Sequence, residues 1–277
     1  MAYKQDNKFT AVWLSHSSVS DFLKCHRLNF LKNIWKNAAG RKINIVSPHM
    51  SLGSAVHNVI EPLAELKTED RFKIKLTDIY KNNWAKYSGK MGGFQDKETE
   101  KEFYDKGLEM IRNVTENPGP LAQKTVKFYK GDFIPNIYLS EKENIILCGL
   151  VDWVEYIEKT DSLRVIDFKT GGKDEKDDSF QLPIYKILVE ALQKRPVTGA
   201  AYWYLARHKH PTKKEIVDED VEEIKARLLE IGLDIKTRKN TKDKKVMEEN
   251  FKCTTGGCRY CKDFELIYNF EEDTNEI

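Results

Sequence analysis

Residues 149–172 read GLVDWVEYIEKTDSLRVIDFKTGG. Two β-type runs flank a turn at EKTDS, with Asp152 opening the first and Asp167 closing the second. Paired as neighbouring strands, the runs set two carboxylates side by side. Uncompensated carboxylates in such a place repel one another and take up protons. A divalent cation removes that cost, and hard oxygen ligands suit Mg²⁺ or Mn²⁺. Alternation along the strand turns Asp167 and Lys169 to one face and Phe168 into the core. A lysine beside a metal orients or helps deprotonate a water and stabilises developing negative charge. That chemistry hydrolyses phosphodiesters. D-x-K alone is more often a strand-end ion pair before a glycine turn, so the surrounding sequence decides.

Downstream, the polar loop GGKDEKDDS leads into a helix expected at 179–193, where Gln181 and Tyr185 lie four apart on one face. Upstream, His57 follows the small-residue stretch SLGSA on a helix, with Glu61 one turn further on the same face. The N-terminal third reads as helical. Ser17 or Ser20 caps a helix running from Phe22 to Trp35, and a second starts after Ser51 and kinks at Pro62. Helices at 74–87 and 97–116 flank a flexible GKMGG, and NPGP at 117–120 breaks the pattern. Strands are expected at 123–140, 144–157, 163–168 and 197–207, then a charged helix at 218–236 and a mobile RKNTKDKK run. The order implies an α/β fold in one domain, 1–277: a mainly helical part (1–120), an α/β core (121–210), and a C-terminal helix and cysteine segment (211–277).

The 277 residues suffice for a full core, and 32% are charged with a net charge of only +2. From Phe22 to Ile60 there are six Lys/Arg and no Asp or Glu. That region suits a polyanion or a solvated basic helix face. No apolar run approaches the roughly 18 residues of a membrane span, and the N-terminus lacks a signal-peptide layout. A soluble, cytoplasmic protein without membrane contact is expected. Of the cysteines Cys25, Cys148, Cys253, Cys258 and Cys261, the last three fall within nine residues, which indicates a metal or cluster site rather than disulfides. Cys148, in an apolar strand, reads as a buried residue. No G-x-x-x-x-G-K-[ST] stretch is present, so any unwinding would come from a helicase partner.

The ordered set GSAVH (His57), GLVD (Asp152), VIDFKTG (Asp167, Lys169, Gly171) and QLPIY (Gln181, Tyr185) resembles the RecB-like branch of the PD-(D/E)XK nuclease superfamily, over about residues 15–265. The resemblance implies a restriction-endonuclease-like core: a central mixed sheet flanked by helices, with an N-terminal helical elaboration and a C-terminal cysteine segment. It implies His57, Asp152, Asp167 and the Phe168 carbonyl as metal ligands for Mg²⁺ or Mn²⁺. Lys169 would be the catalytic lysine, with Gln181 and Tyr185 positioning lysine, nucleophile or phosphate. Glu61 is outside the transferred pattern and is placed beside the ligands. SHSSVSDFLKCHRLNF is also similar to the start of iron–sulfur members, among them CRISPR-associated and AddB-type exonucleases, although His26 stands where they carry proline. By that likeness Cys25, Cys253, Cys258 and Cys261 hold a [4Fe-4S] cluster that ties the chain ends together. The C-x4-C-x2-C spacing departs from the family's C-x2-C-x5-C, and four thiolates suit Zn²⁺ equally well.

The implied activity is metal-dependent hydrolysis of DNA, with His57 favouring an exonuclease on single strands or ends. Repair, phage or CRISPR adaptation would supply the context and any protein partner. Lys24, Arg27, Lys32 and Lys36 are candidates for a strand path; Trp13, Trp35 and Trp203 are candidate stacking platforms or core residues. The alternatives are a catalytically idle DNA-binding or assembly subunit, and an RNA-directed enzyme of the same fold.

Overall fold

The structure is a computed structural model that describes residues 8, 10–127, 134–216 and 218–275. The chain begins with β1 (Val12–Leu14), α1 (His16–Lys24), α2 (His26–Asn29), α3 (Pro48–Ile60), α4 (Leu76–Trp84) and α5 (Lys97–Glu116). It continues with β2 (Asn136–Ser140), β3 (Ile145–Cys148), β4 (Trp153–Ile157), β5 (Ser162–Lys169), α6 (Gln181–Leu192), β6 (Val197–Tyr204) and β7 (Thr212–Lys214). It closes with α7 (Asp218–Lys239), α8 (Lys244–Asn250) and α9 (Lys262–Asn275). Two compact units result. One takes its described residues from Met1–Ile45, Asn136–Cys148 and Glu222–Ile277; the other from Val46–Pro135 and Gly149–Val221.

The second unit is built on a mixed sheet ordered β4-β5-β6-β7. β4 and β5 are antiparallel, β5 and β6 parallel, β6 and β7 antiparallel. Trp153, Ile166, Phe168, Ala201 and Trp203 point to one face and form a core with Leu52, Val56 and Ile60 of α3, Tyr80 of α4 and Ile111 of α5. Trp153 and Trp203 are essentially inaccessible; each removes apolar area worth on the order of 4 kcal/mol. Asp167, Lys169, Tyr202 and Tyr204 occupy the opposite face by strand alternation. There α6 packs on β5 and β6. The sheet is thus flanked by helices, as the sequence predicts.

In the first unit β3 pairs in parallel with β1 and antiparallel with β2. α7 lies close on this sheet because Gly232 faces it: a Cβ there would come within 2.9 Å of the Ile145 side chain. Phe30 packs on Phe251 at 5.6 Å and Trp35 on Tyr268 at 5.3 Å between ring centroids. Arg27 is bonded to Glu265 at 2.8 Å.

Several elements differ from expectation for local reasons. α1 starts at His16 because the Ser15 hydroxyl accepts the Ser18 N–H. It does not run on to Trp35: Cys25 is extended (φ −167°), and α2 and a π turn at Phe30–Ile34 follow. α3 starts at Pro48 rather than after Ser51, with Ser47 as its cap and proline in the first turn; at Glu61–Glu65, around Pro62, it tightens to a 3₁₀ turn. The strand expected at 144–157 divides into β3 and β4 of different sheets. At the break, the Asp152 carboxylate accepts the Phe168 N–H at 2.8 Å. The strand expected at 123–140 reduces to a bridge at Thr125–Glu155 and β2, with 128–133 outside the described residues. RKNTKDKK is helix ends rather than a loose run: α7 reaches Lys239 and Asp243 caps α8. Among the described residues no helix is long and apolar enough to cross a membrane.

Candidate functional site

The carboxylates of the opening stretch meet at one end of the second unit's sheet. The β4–β5 register, Trp153 opposite Ile166, extrapolates to Asp152 opposite Asp167. Both point to the face opposite the Trp153–Phe168 core. α3 brings His57 to the same place, and ligand atoms of His57, Glu61 and Asp152 all lie within 4.8 Å of one another. His57 Nδ1 is 2.6 Å from Glu61 Oε1 and 3.7 Å from Asp152 Oδ2, and Nε2 is 3.2 Å from the Phe168 carbonyl.

Asp167 stands outside that cluster because its oxygens turn toward Lys169 and α6. Gln181 Nε2 donates to Asp167 Oδ1 at 2.6 Å and to the Tyr185 hydroxyl at 3.1 Å, while Gln181 Oε1 accepts from Lys169 Nζ at 2.6 Å. One amide thereby fixes acid, lysine and phenol. Lys169 Nζ approaches Asp167 Oδ2 at 3.0 Å as an ion pair. That oxygen is buried, with the Lys169 ammonium as its partner. A second acid, Glu175, reaches Lys169 Nζ at 3.0 Å.

The electrostatics are those of buried acids held close to one another and to His57 and Lys169. Burial, then the Asp167 charge, pushes Asp152 well above the usual carboxylate range. Burial also raises Asp167, against the opposing pull of Lys169. Burial disfavours charged His57, but the Glu61 bond and the Asp152 charge outweigh it and raise its pKa to about 9. Charged His57 donates from both nitrogens, to Glu61 and to the Phe168 carbonyl. Its partners are the oxygens a hard divalent cation would take. This set of hard oxygen donors, with the buried Asp167 carboxylate beside it, fits Mg²⁺ or Mn²⁺. A cleft of about 250 Å³, lined by Glu61, Asp152, Thr125 and Lys127 among others, opens alongside.

A second ligand cluster belongs to the first unit. The sulfur atoms of Cys25, Cys253, Cys258 and Cys261 lie within 4.8 Å of one another. Cys25 gets there because the chain breaks between α1 and α2. Cys253 is turned back by TTGG, where Gly256 (φ +70°) and Gly257 (φ +128°) adopt backbone open mainly to glycine. Burial pushes Cys25 up to about 12, whereas a bond with the Thr255 hydroxyl pulls Cys253 down to about 5. Four converging sulfurs suit a soft or borderline metal. Cys148 is buried apart from them in β3, its thiol raised to about 11 by burial.

Other candidates fall differently. Trp35 and Trp203 are buried and cannot stack on bases; Trp13 is 41% exposed. Arg27 is buried in its pair with Glu265, and Lys32 is paired with Asp21 at 2.9 Å, so of the supposed strand path Lys24 and Lys36 remain exposed. Sequence reasoning underrated Glu61, whose signal was its four-residue spacing from His57. It missed Glu175, which sits in an acid-rich loop with no periodicity to single it out.

No curated protein matches the chain. The model of the PD-(D/E)XK nuclease superfamily matches residues 13–262, most of its length, and the chain belongs to that superfamily.

Proposed function

We propose that the protein is a metal-dependent DNA exonuclease of the RecB-like branch, acting on single strands or strand ends. The convergence of His57, Asp152, Asp167, Lys169, Gln181 and Tyr185 at one end of β5 carries this reading. His57, Glu61, Asp152, Asp167 and the Phe168 carbonyl would hold Mg²⁺ or Mn²⁺, which when bound supplies Lewis-acid stabilisation of phosphate charge and a more acidic water. Lys169 presents its ammonium to the attacking water or a phosphate oxygen, where negative charge develops. Gln181 holds Lys169 and Asp167 in register, and Tyr185 fixes the amide orientation. The cost of burying acids and cations together argues for catalysis rather than scaffolding, since a scaffold gains nothing from it. In the first unit the thiolate quartet would hold [4Fe-4S], or Zn²⁺, as a structural centre with no part in hydrolysis.

The test is digestion of end-labelled linear and of circular single-stranded DNA with Mg²⁺, Mn²⁺ or EDTA. Linear DNA is degraded with metal, circular DNA is spared, and Asp167→Ala degrades neither. Cleavage of circular DNA would discard the exonuclease reading, and full activity of Asp167→Ala would discard the site. Anaerobic purification resolves the quartet: absorption near ~400 nm indicates iron–sulfur, and a colourless zinc-bearing protein indicates the alternative.

A further inference from the structure

The loop between β5 and α6 carries Asp174, Glu175, Asp177 and Asp178 within five residues, and the first three are each paired with a cation. Asp174 pairs with Arg207 at 2.6 Å, Glu175 with Lys169 at 3.0 Å and Asp177 with Lys214 at 2.5 Å. The Glu175 N–H donates to the Tyr204 hydroxyl at 2.9 Å, and the Arg207 guanidinium lies over the Tyr204 ring at 4.6 Å. Lys169 on β5 and Lys214 on β7 share one face of the sheet by register, and Arg207 follows the end of β6 over the Tyr204 ring. Lys169 is opposite Tyr204 and Lys214 opposite Ala200, four residues apart along β6, or roughly 13 Å at 3.3 Å per residue. The loop is therefore an acidic strap laid along three cations, with the candidate catalytic lysine in the middle.

Lys169 makes the consequence sharp. An ammonium has three protons, and they face Gln181 Oε1, Asp167 Oδ2 and Glu175 Oε1. Gln181 and Asp167 are buried parts of the sheet and α6, whereas Glu175 is on the strap. A phosphate can reach Lys169 only by taking the Glu175 position. The outer pairs are built to yield: Asp174 and Asp177 side chains are 69% and 94% exposed, where water and salt screen an ion pair.

We propose that the strap Asp174–Asp178 mimics phosphates, and that Arg207, Lys169 and Lys214 form the surface on which the backbone of a single DNA strand replaces it. The polyanion's identity rests on the nuclease reading above; the strap's displacement does not. A strand with regularly spaced charges exchanges three protein pairs for three phosphate contacts and gains by releasing its own counterions. Chance anions lack that gain and leave Glu175 on Lys169.

The experiment measures binding of a short fluorescein-labelled single-stranded DNA by the full chain, by anisotropy with Ca²⁺ in place of Mg²⁺ and at several salt concentrations. Asp174→Asn/Asp177→Asn binds about three- to tenfold tighter than wild type and lowers KM more than it changes kcat. Arg207→Ala/Lys214→Ala binds more weakly, with a salt slope gentler by about 1.4, two phosphate contacts at 0.7 each. A folded Asp174→Asn/Asp177→Asn protein that binds no better than wild type overturns the proposal. If that variant fails to fold, Arg207→Ala/Lys214→Ala with undiminished affinity and slope overturns it. Cleavage is followed in parallel. Wild type that never cleaves DNA, while the strap variant binds more tightly, sinks the nuclease reading and keeps the strap. Normal cleavage with unchanged binding does the reverse.

Discussion

The two ligand clusters face one problem, groups that repel or waste hydrogen bonds unless a cation joins them, and their surroundings handle it in opposite ways. In the second unit the acids keep substitutes: His57 serves as a resident cation, and Lys169 and Gln181 occupy Asp167. In the first unit the thiols have little but one another and the Thr255 hydroxyl. A site with substitutes stays folded while its ion comes and goes, as a catalytic centre must. A site without them draws its order from the metal. The contrast predicts that removing metal costs activity in one place and structure in the other.

The largest effect expected is therefore at the quartet. Structural four-thiolate centres contribute on the order of 10 kcal/mol, so Cys25→Ala loses bound metal, measured by elemental analysis, and melts at least about 10 °C lower. A variant that keeps both metal content and melting temperature breaks the comparison. Next comes Lys169→Ala, expected to lower kcat about 10²- to 10⁴-fold. Its melting temperature stays within a few degrees of wild type, because no structural metal is touched. A loss below tenfold would show that Lys169 does not touch the reacting atoms.

Legibility in the sequence followed the same divide. The carboxylate site was readable because strand alternation and four-residue helix spacing convert directly into faces: Asp167 with Lys169, Gln181 with Tyr185, His57 with Glu61. The sheet was less so. The apolar texture is continuous from 144 to 157, so nothing local announces that β3 and β4 part at Gly149–Asp152, where a side chain claims the Phe168 N–H. Short β1 and β7 have too few residues for a period to show. The break at Cys25 was invisible because an apolar helical stripe continues across it. Glu175 was unreadable because loop geometry, not periodicity, sets where its carboxylate goes.

A smaller effect is expected on pH. The His57 pKa rises from 6.5 to about 9 on folding. Its contribution is therefore complete below 6.5 and lost as pH climbs through 9. Raised Asp152 and Asp167 act in the same direction, since the folded form holds their protons more tightly than the unfolded chain does. Stability without metal should fall from neutral toward pH 9. Metal competes with those same protons, so the melting-temperature gain given by Mg²⁺ should widen over that range. Asp152→Asn should melt a few degrees higher than wild type in EDTA, since it removes the acid that burial and Asp167 most disfavour, and should show no Mg²⁺ gain. An unchanged gain would remove Asp152 from the metal site.

Tyr185→Phe gives the smallest effect and the finest discrimination. The Tyr185 hydroxyl is bonded to Gln181 Nε2, and that amide also serves Asp167 and Lys169. Deleting the hydroxyl removes its bond with Gln181, worth about 0.5–1.5 kcal/mol, and its contact with the Asp167 carboxylate, and leaves the ring packed in the core. If Tyr185 acts only by steadying the amide, kcat falls about two- to tenfold, KM for DNA holds, and the Mg²⁺ melting gain is kept. If it contacts the substrate phosphate, KM rises instead. Gln181→Glu separates the cases further. It retains an acceptor for Lys169 but sets a charge against Asp167, so activity should fall well below that of Tyr185→Phe. Equal losses from the two would mean that the amide's bond to Asp167 carries no weight in the site.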